Sequence, residues 1–178
     1  MENHSLVQRL IARPEFGPFV LLVVEIGVFW GFNHDFLSPQ NISNTLAFTV
    51  ELGLIALAMT LLMTSGEFDL SVGSLFGFSP VLMWTLFNGG VTSLEIGFVA
   101  ALVVAALIGL VNGWFVTQLK IPSFLVTLGM LLVVRGTALF ITDGFPQRTW
   151  SAEGSWLANI LVGDFYVGPF RIYMSLFW

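Results

Sequence analysis

Apolar residues in this chain gather into long, nearly unbroken runs separated by short polar joints, with no sustained alternation of the kind a half-buried strand requires. A helix needs about 20 largely apolar residues to cross the hydrocarbon core, because every backbone polar group there must bond internally. Five runs approach that length. They cover about Pro18 to Phe32 (beginning as early as Phe16), Thr45 to Ser65 with an interfacial turn from Asn41, Ser71 to Phe87, Leu94 to Leu119, and Pro122 to Thr142. A sixth run starts near Arg171 and meets the last residue, Trp178. The pattern predicts an all-α, polytopic transmembrane helical bundle of about five complete spanning helices plus the start of a sixth. Residues 1–15 form a polar N-terminal segment and residues 16–178 the membrane domain. Ending at Leu176-Phe177-Trp178, the chain is expected to stop in mid-helix. The other reading is a short interfacial segment, where Trp and Tyr are favoured.

Composition agrees with lipid as the solvent. Hydrophobic residues make up 56% of 178 positions and charged residues 10%, where a soluble domain carries about 25% charged residues. The mean hydropathy is +0.89. The net charge of −5 holds no basic tract, so a nucleic-acid partner is not supported. There is no cysteine, hence no disulfide, thiolate metal site or cysteine nucleophile, and His4 and His34 are too isolated to suggest a metal site. The few basic residues set the orientation: Arg9 and Arg13 before the first helix and Lys120 between the fourth and fifth are expected on the cytoplasmic side. The segment from Asp143 to Pro169 then faces outward, with Arg148 as the exception.

In the fourth run, Gly97, Ala101, Ala105, Gly109 and Gly113 recur every four residues. Such a stripe lets another helix backbone approach closely, and in lipid close packing is the main attraction available. Three ionisable residues fall inside spans: Glu25, Glu51 and Arg135. Each is costly in hydrocarbon and is expected to face the bundle interior or a wet path. Similar depths suggest an intramembrane ion pair between Glu51 and Arg135.

The sharpest local feature is Gly66-Glu67-Phe68-Asp69-Leu70-Ser71, where one helix ends and the next begins. Asp69 or Ser71 suits a cap for the amides of the following helix. Polar groups at such a break also suit solute contact or gating, a common arrangement in transporters. Lys120, Pro122 and Ser123 read as ordinary helix punctuation. The sequence lacks a GxxxxGK[ST] phosphate loop, and no catalytic constellation presents itself.

The stretch Thr64-Ser65-Gly66-Glu67-Phe68-Asp69-Leu70-Ser71-Val72-Gly73-Ser74 resembles a signature of the permease subunits of ribose-type sugar ABC importers, T-G-G-I-D-L-S-V-G-S. Lys120-Ile121-Pro122-Ser123-Phe124-Leu125-Val126-Thr127-Leu128-Gly129, followed by Arg135-Gly136, is similar to that family's I-P-S/A-F-[IL]-V-T-L-G segment and later R-G. Phe36-Leu37-Ser38-Pro39 with Asn41-Ile42, and Gly109-Leu110-Val111-Asn112-Gly113, match two further patterns in the family's order. Glu67-Phe68 departs from the usual Gly-Ile. The resemblance implies an ABC-importer permease, here its N-terminal part, in the bacterial inner membrane, forming the path of a small polar solute such as a monosaccharide. It implies three protein partners: a second permease subunit (in a homo- or heterodimer), a cytoplasmic ATP-binding subunit and an extracytoplasmic solute-binding protein. This chain would be no enzyme and carry no cofactor. Candidate positions in the solute path or its gate are Glu67, Asp69, Ser71, Asn112, Thr127 and Arg135. An ion-coupled secondary transporter, or an ABC permease for nucleosides or branched-chain amino acids, is the alternative.

Overall fold

The first apolar run folds as predicted into α1 (Phe16–Phe32), a helix with no buried residue. Its Glu25 is therefore exposed along with the rest of it. Our structure, a computed structural model, describes residues 13–147 and 154–174. Arg9, Arg148 and residues 175–178 lie outside these, as does most of the N-terminal segment. A 3₁₀ turn (His34–Leu37) leads into α2 (Pro39–Thr64), which begins two turns before its apolar run. Ser38 explains the early start: its Oγ accepts from the amide of Asn41 at 3.3 Å, and Pro39 occupies the first turn, where no amide donor is needed. Then follow α3 (Val72–Asn88), α4 (Leu94–Thr117) and α5 (Ser123–Thr142).

Three of these helices, α2, α4 and α5, are long and apolar enough to cross a membrane. At 17 residues each, α1 and α3 are shorter and span about 25 Å. The protein is thus a mostly helical, multi-pass membrane protein. The last two elements depart from the all-α expectation. A short helix α6 (Trp156–Val162) precedes an antiparallel hairpin of β1 (Asp164–Val167) and β2 (Phe170–Tyr173). A sixth helix does not start at Arg171: Arg171 pairs with Tyr166 across the hairpin. The physical reason is local. Phe165-Tyr166-Val167 and Phe170-Arg171-Ile172-Tyr173 are aromatic and β-branched, and Gly168, at φ +59°, with Pro169 makes a two-residue turn.

Helices α3, α4 and α5 pack on one another, whereas the main contacts of α2 are with the 3₁₀ turn and β2 near its start. The close approach of α3 and α4 occurs at Gly97, where an added Cβ would lie 3.1 Å from the carbonyl of Met83. Gly97 and Ala101 are buried. Gly109 and Gly113 meet no heavy atom within 4 Å of an added Cβ, and Ala105 is half-buried. The stripe is therefore a helix contact at one end only. Near that end, Leu157 of α6 packs on Leu94, with Trp84, Phe87 and Phe98 around them.

Candidate functional site

Gly66 adopts φ +82°, a conformation open to a residue without Cβ, and there the chain leaves α2. The segment from Ser65 to Ser71 then crosses to the start of α3. Because α3 has 17 residues and its antiparallel neighbour α4 has 24, α3 begins short of the end of α4. The crossing segment fills that gap. Ser71 meets Asn112, five residues before the end of α4 at Thr117, about 7 Å inside that end.

A polar node forms there. Asp69 Oδ1 accepts from the Ser71 amide at 2.7 Å and from the Ser71 hydroxyl at 2.6 Å. With its proton committed to Asp69, Ser71 Oγ accepts in turn from Asn112 Nδ2 at 3.1 Å. This bond also fixes the Asn112 amide, whose Oδ1 is buried without a hydrogen-bond partner. The amide of Phe68 donates to Ser123 Oγ at 3.2 Å, tying the break to the start of α5. Thr127 Oγ1 donates to the Ser123 carbonyl at 2.7 Å, one turn further on. Ser71, at 0% exposure, is the most enclosed of these residues, and Asn112, Ser123 and Thr127 are buried as well. Every bond in the node holds a backbone or side chain in place.

Of the residues singled out from sequence, Asp69, Ser71 and Asn112 come together, Thr127 lies one link away, and Glu67 sits half-buried on the same segment. Arg135 does not join them. It lines a separate cavity of about 380 Å³ with Gly73, Ser74 and Gly77. Glu51 lines another, with Val72, Phe76 and Ser79. Residues 73, 74 and 77 and residues 72, 76 and 79 lie on different faces of α3. Among the described residues no ion pair joins Glu51 to Arg135, because α3 stands between their two cavities; the depths agree but the neighbours do not. Sequence reasoning missed Ser123, treated as punctuation. Its signal was a hydroxyl at a helix start that follows the same kind of joint.

Residues 41–160 match the family described as branched-chain amino acid transport system / permease component. The chain belongs to that family. Among curated relatives, this permease-family chain is 31% identical over 79% of its length to the xylose/arabinose import permease protein XylH of Sulfolobus acidocaldarius, covering 41% of that protein. It is 34% identical over 79% to the xylose transport system permease protein XylH of Escherichia coli, covering 37% of it. To the autoinducer 2 import system permease protein LsrC of Escherichia coli it is 39% identical over 89%, covering 46%. The chain thus spans less than half the length of these relatives. No solved structure matches it. The node and the Arg135 region fall within the family match, and so does most of α6.

Proposed function

We propose that this chain is part of the membrane-spanning permease subunit of an ATP-driven importer, and that it carries a monosaccharide across the bacterial inner membrane. The likeness to pentose permeases over 79% of the chain carries this reading. The break at Gly66 and the node behind it supply the interrupted helix on which transporters build polar paths. The N-terminus and Lys120 face the cytoplasm, five helices cross the membrane, and the node lies at the cytoplasmic end of the bundle. The partners are a second permease subunit, an ATP-hydrolysing subunit on the cytoplasmic side and a solute-binding protein outside. The family description favours branched-chain amino acids as a second solute class.

The test is uptake into proteoliposomes by the assembled importer. Labelled D-xylose accumulates only with ATP inside the ATPase-facing compartment and the binding protein on the other face. Accumulation driven by a proton or sodium gradient without ATP would make the protein a secondary transporter instead. L-Valine uptake without xylose uptake would reassign the solute. Orientation is read separately, with cysteines placed one at a time at Ser5 and Ser155: an impermeant thiol reagent labels Ser155→Cys in intact cells and leaves Ser5→Cys untouched.

A further inference from the structure

Helix α2 is held at both ends and stands off in between. At one end Tyr173 Oη donates to Asn44 Oδ1 at 2.6 Å. At the other, the Ser65–Ser71 segment is bonded to α4 and α5 through Ser71 and Phe68. Between these ties, α2, α3 and α4 line an open-sided cavity of about 550 Å³, inside the range of roughly 300–1,000 Å³ for small-molecule sites. Leu161 of α6 is part of its wall.

The wall is apolar except at one level. Glu51 reaches it from α2, and Ser79 and Pro80 from α3. Glu51 lies 12 residues from Pro39 and 13 from Thr64, and Pro80 lies eight from each end of α3. Both are therefore at mid-helix. Pro80 has no amide hydrogen, so the carbonyl of Phe76, a turn earlier and also in the wall, loses its helical donor. Ser79 Oγ gives its proton to the Leu75 carbonyl at 2.9 Å, which leaves its lone pairs free to accept. A carboxyl group, a backbone carbonyl that Pro80 deprives of its helical donor and a hydroxyl oxygen thus belong to residues that line one largely apolar cavity, with no arginine or lysine among its lining residues. A carboxyl group in hydrocarbon is expensive and marks a functional path. A ligand rich in hydroxyl donors matches such a set of acceptors.

We propose that this cavity is a station for a polyhydroxyl solute midway across the membrane, with Glu51 and the proline-freed carbonyl of Phe76 taking hydrogen bonds from its hydroxyl groups. The proposal rests on the importer reading and narrows it to a place and a chemistry. Solute enters the bundle between α2 and α3, on the opposite face of α3 from Arg135. In this reading the Asp69 node anchors the far end of the gap that solute occupies.

The native chain has no cysteine, so a single Ile55→Cys reports on the cavity wall, and Leu57→Cys on α2 outside it serves as the control. Both are introduced into the complex of permease and ATP-binding subunit, with the binding protein left out so that no other protein in the assay is built to bind sugar. D-Xylose slows alkylation of Ile55→Cys by N-ethylmaleimide at least about fivefold and leaves Leu57→Cys unchanged. Adding Glu51→Leu raises the half-protecting xylose concentration about tenfold, the loss expected for a strong hydrogen bond. Glu51→Gln, which keeps one acceptor oxygen, raises it less. Pro80→Ala restores the amide donor to Phe76 and also raises it. Should Ile55→Cys fail to assemble, Leu75→Cys from the α3 wall replaces it. Importer-driven xylose uptake with no protection at either position overturns this proposal alone. Protection by sodium ions but not by xylose gives the acceptors to a cation and overturns it too. L-Valine uptake without xylose uptake by the unmodified importer removes the sugar reading and this proposal with it, and uptake driven by an ion gradient without ATP removes the importer reading.

Discussion

The two ends of the bundle hold their parts together with similar bonds in different surroundings. At the break end, Asp69 accepts two hydrogen bonds from Ser71, which is fully enclosed, and Asn112 and Ser123 reach in from α4 and α5. At the hairpin end, Asp164 meets Arg171 at 2.7 Å, with both side chains partly open to solvent. The first bonds neutral donors from which water is excluded, so losing an acceptor leaves a buried donor with nothing to bond. The second pairs opposite charges that water can solvate when they part. Distance alone would rank the two alike. Burial separates them: the break end is an enclosed anchor, and the hairpin end a cover whose ion pair is open to water.

The largest expected effect is at Asp69. Asp69→Ala strands both the amide and the hydroxyl of Ser71 and costs about 2–4 kcal/mol of stability, read as thermal unfolding in detergent. Asp69→Asn keeps an acceptor oxygen in place and costs about 1 kcal/mol or less. If the two variants lost stability equally, the charge and not the hydrogen bonds would hold the node, and the contrast with the hairpin end would fail.

The second effect divides the small-residue stripe of α4. Gly97→Leu drives a side chain at the Met83 backbone, which cannot yield as a flexible side chain would; about 1–3 kcal/mol is lost. Gly109→Leu meets open space and stays within about 0.5 kcal/mol. Melting of the two purified variants distinguishes them. Equal losses would mean that the stripe is an interface along its whole length.

Where sequence reading succeeded and failed follows the same division. The break was legible because Gly66, Asp69 and Ser71 each do something local: end a helix, accept amides, start a helix. Helix ends came within a few residues for α1, α3, α4 and α5, because lipid leaves an apolar run few options besides a helix. The start of α2 was missed because its first turns, Pro39-Gln40-Asn41-Ile42-Ser43-Asn44, are polar and only a cap reveals them. The hairpin was missed for the opposite reason. Phe170 to Tyr173 looks like the start of an apolar run by hydropathy, and only the Gly168-Pro169 turn and the β-forming composition mark it as a strand. Glu51 and Arg135 have matching depths, but depth fixes one coordinate, and which face of α3 each residue meets belongs to packing.

The smallest effect tests the cover itself. The Arg171 guanidinium, by hydrogen bond first and by charge second, holds the Asp164 carboxyl below its ordinary value against an opposing push from partial burial. A carboxyl lowered in the folded state contributes stability that is present above its unfolded value and lost as the pH falls through the folded one. The hairpin is therefore about as firm at pH 5 as at pH 7 and loosens as the pH falls from the ordinary carboxylate value through the lowered one of Asp164. The change is modest, because exposed pairs contribute little and salt screens them. Amide exchange at Met174, whose N–H donates to the Gly163 carbonyl at 2.8 Å, reads it directly: protection, corrected for the intrinsic pH dependence of exchange, drops in acid. In Arg171→Ala that acid step shrinks toward nothing, and in added salt it weakens in the native chain. A step of the same size in Arg171→Ala would show that some other acid secures the hairpin, and the two ends would no longer differ in the way their burial implies.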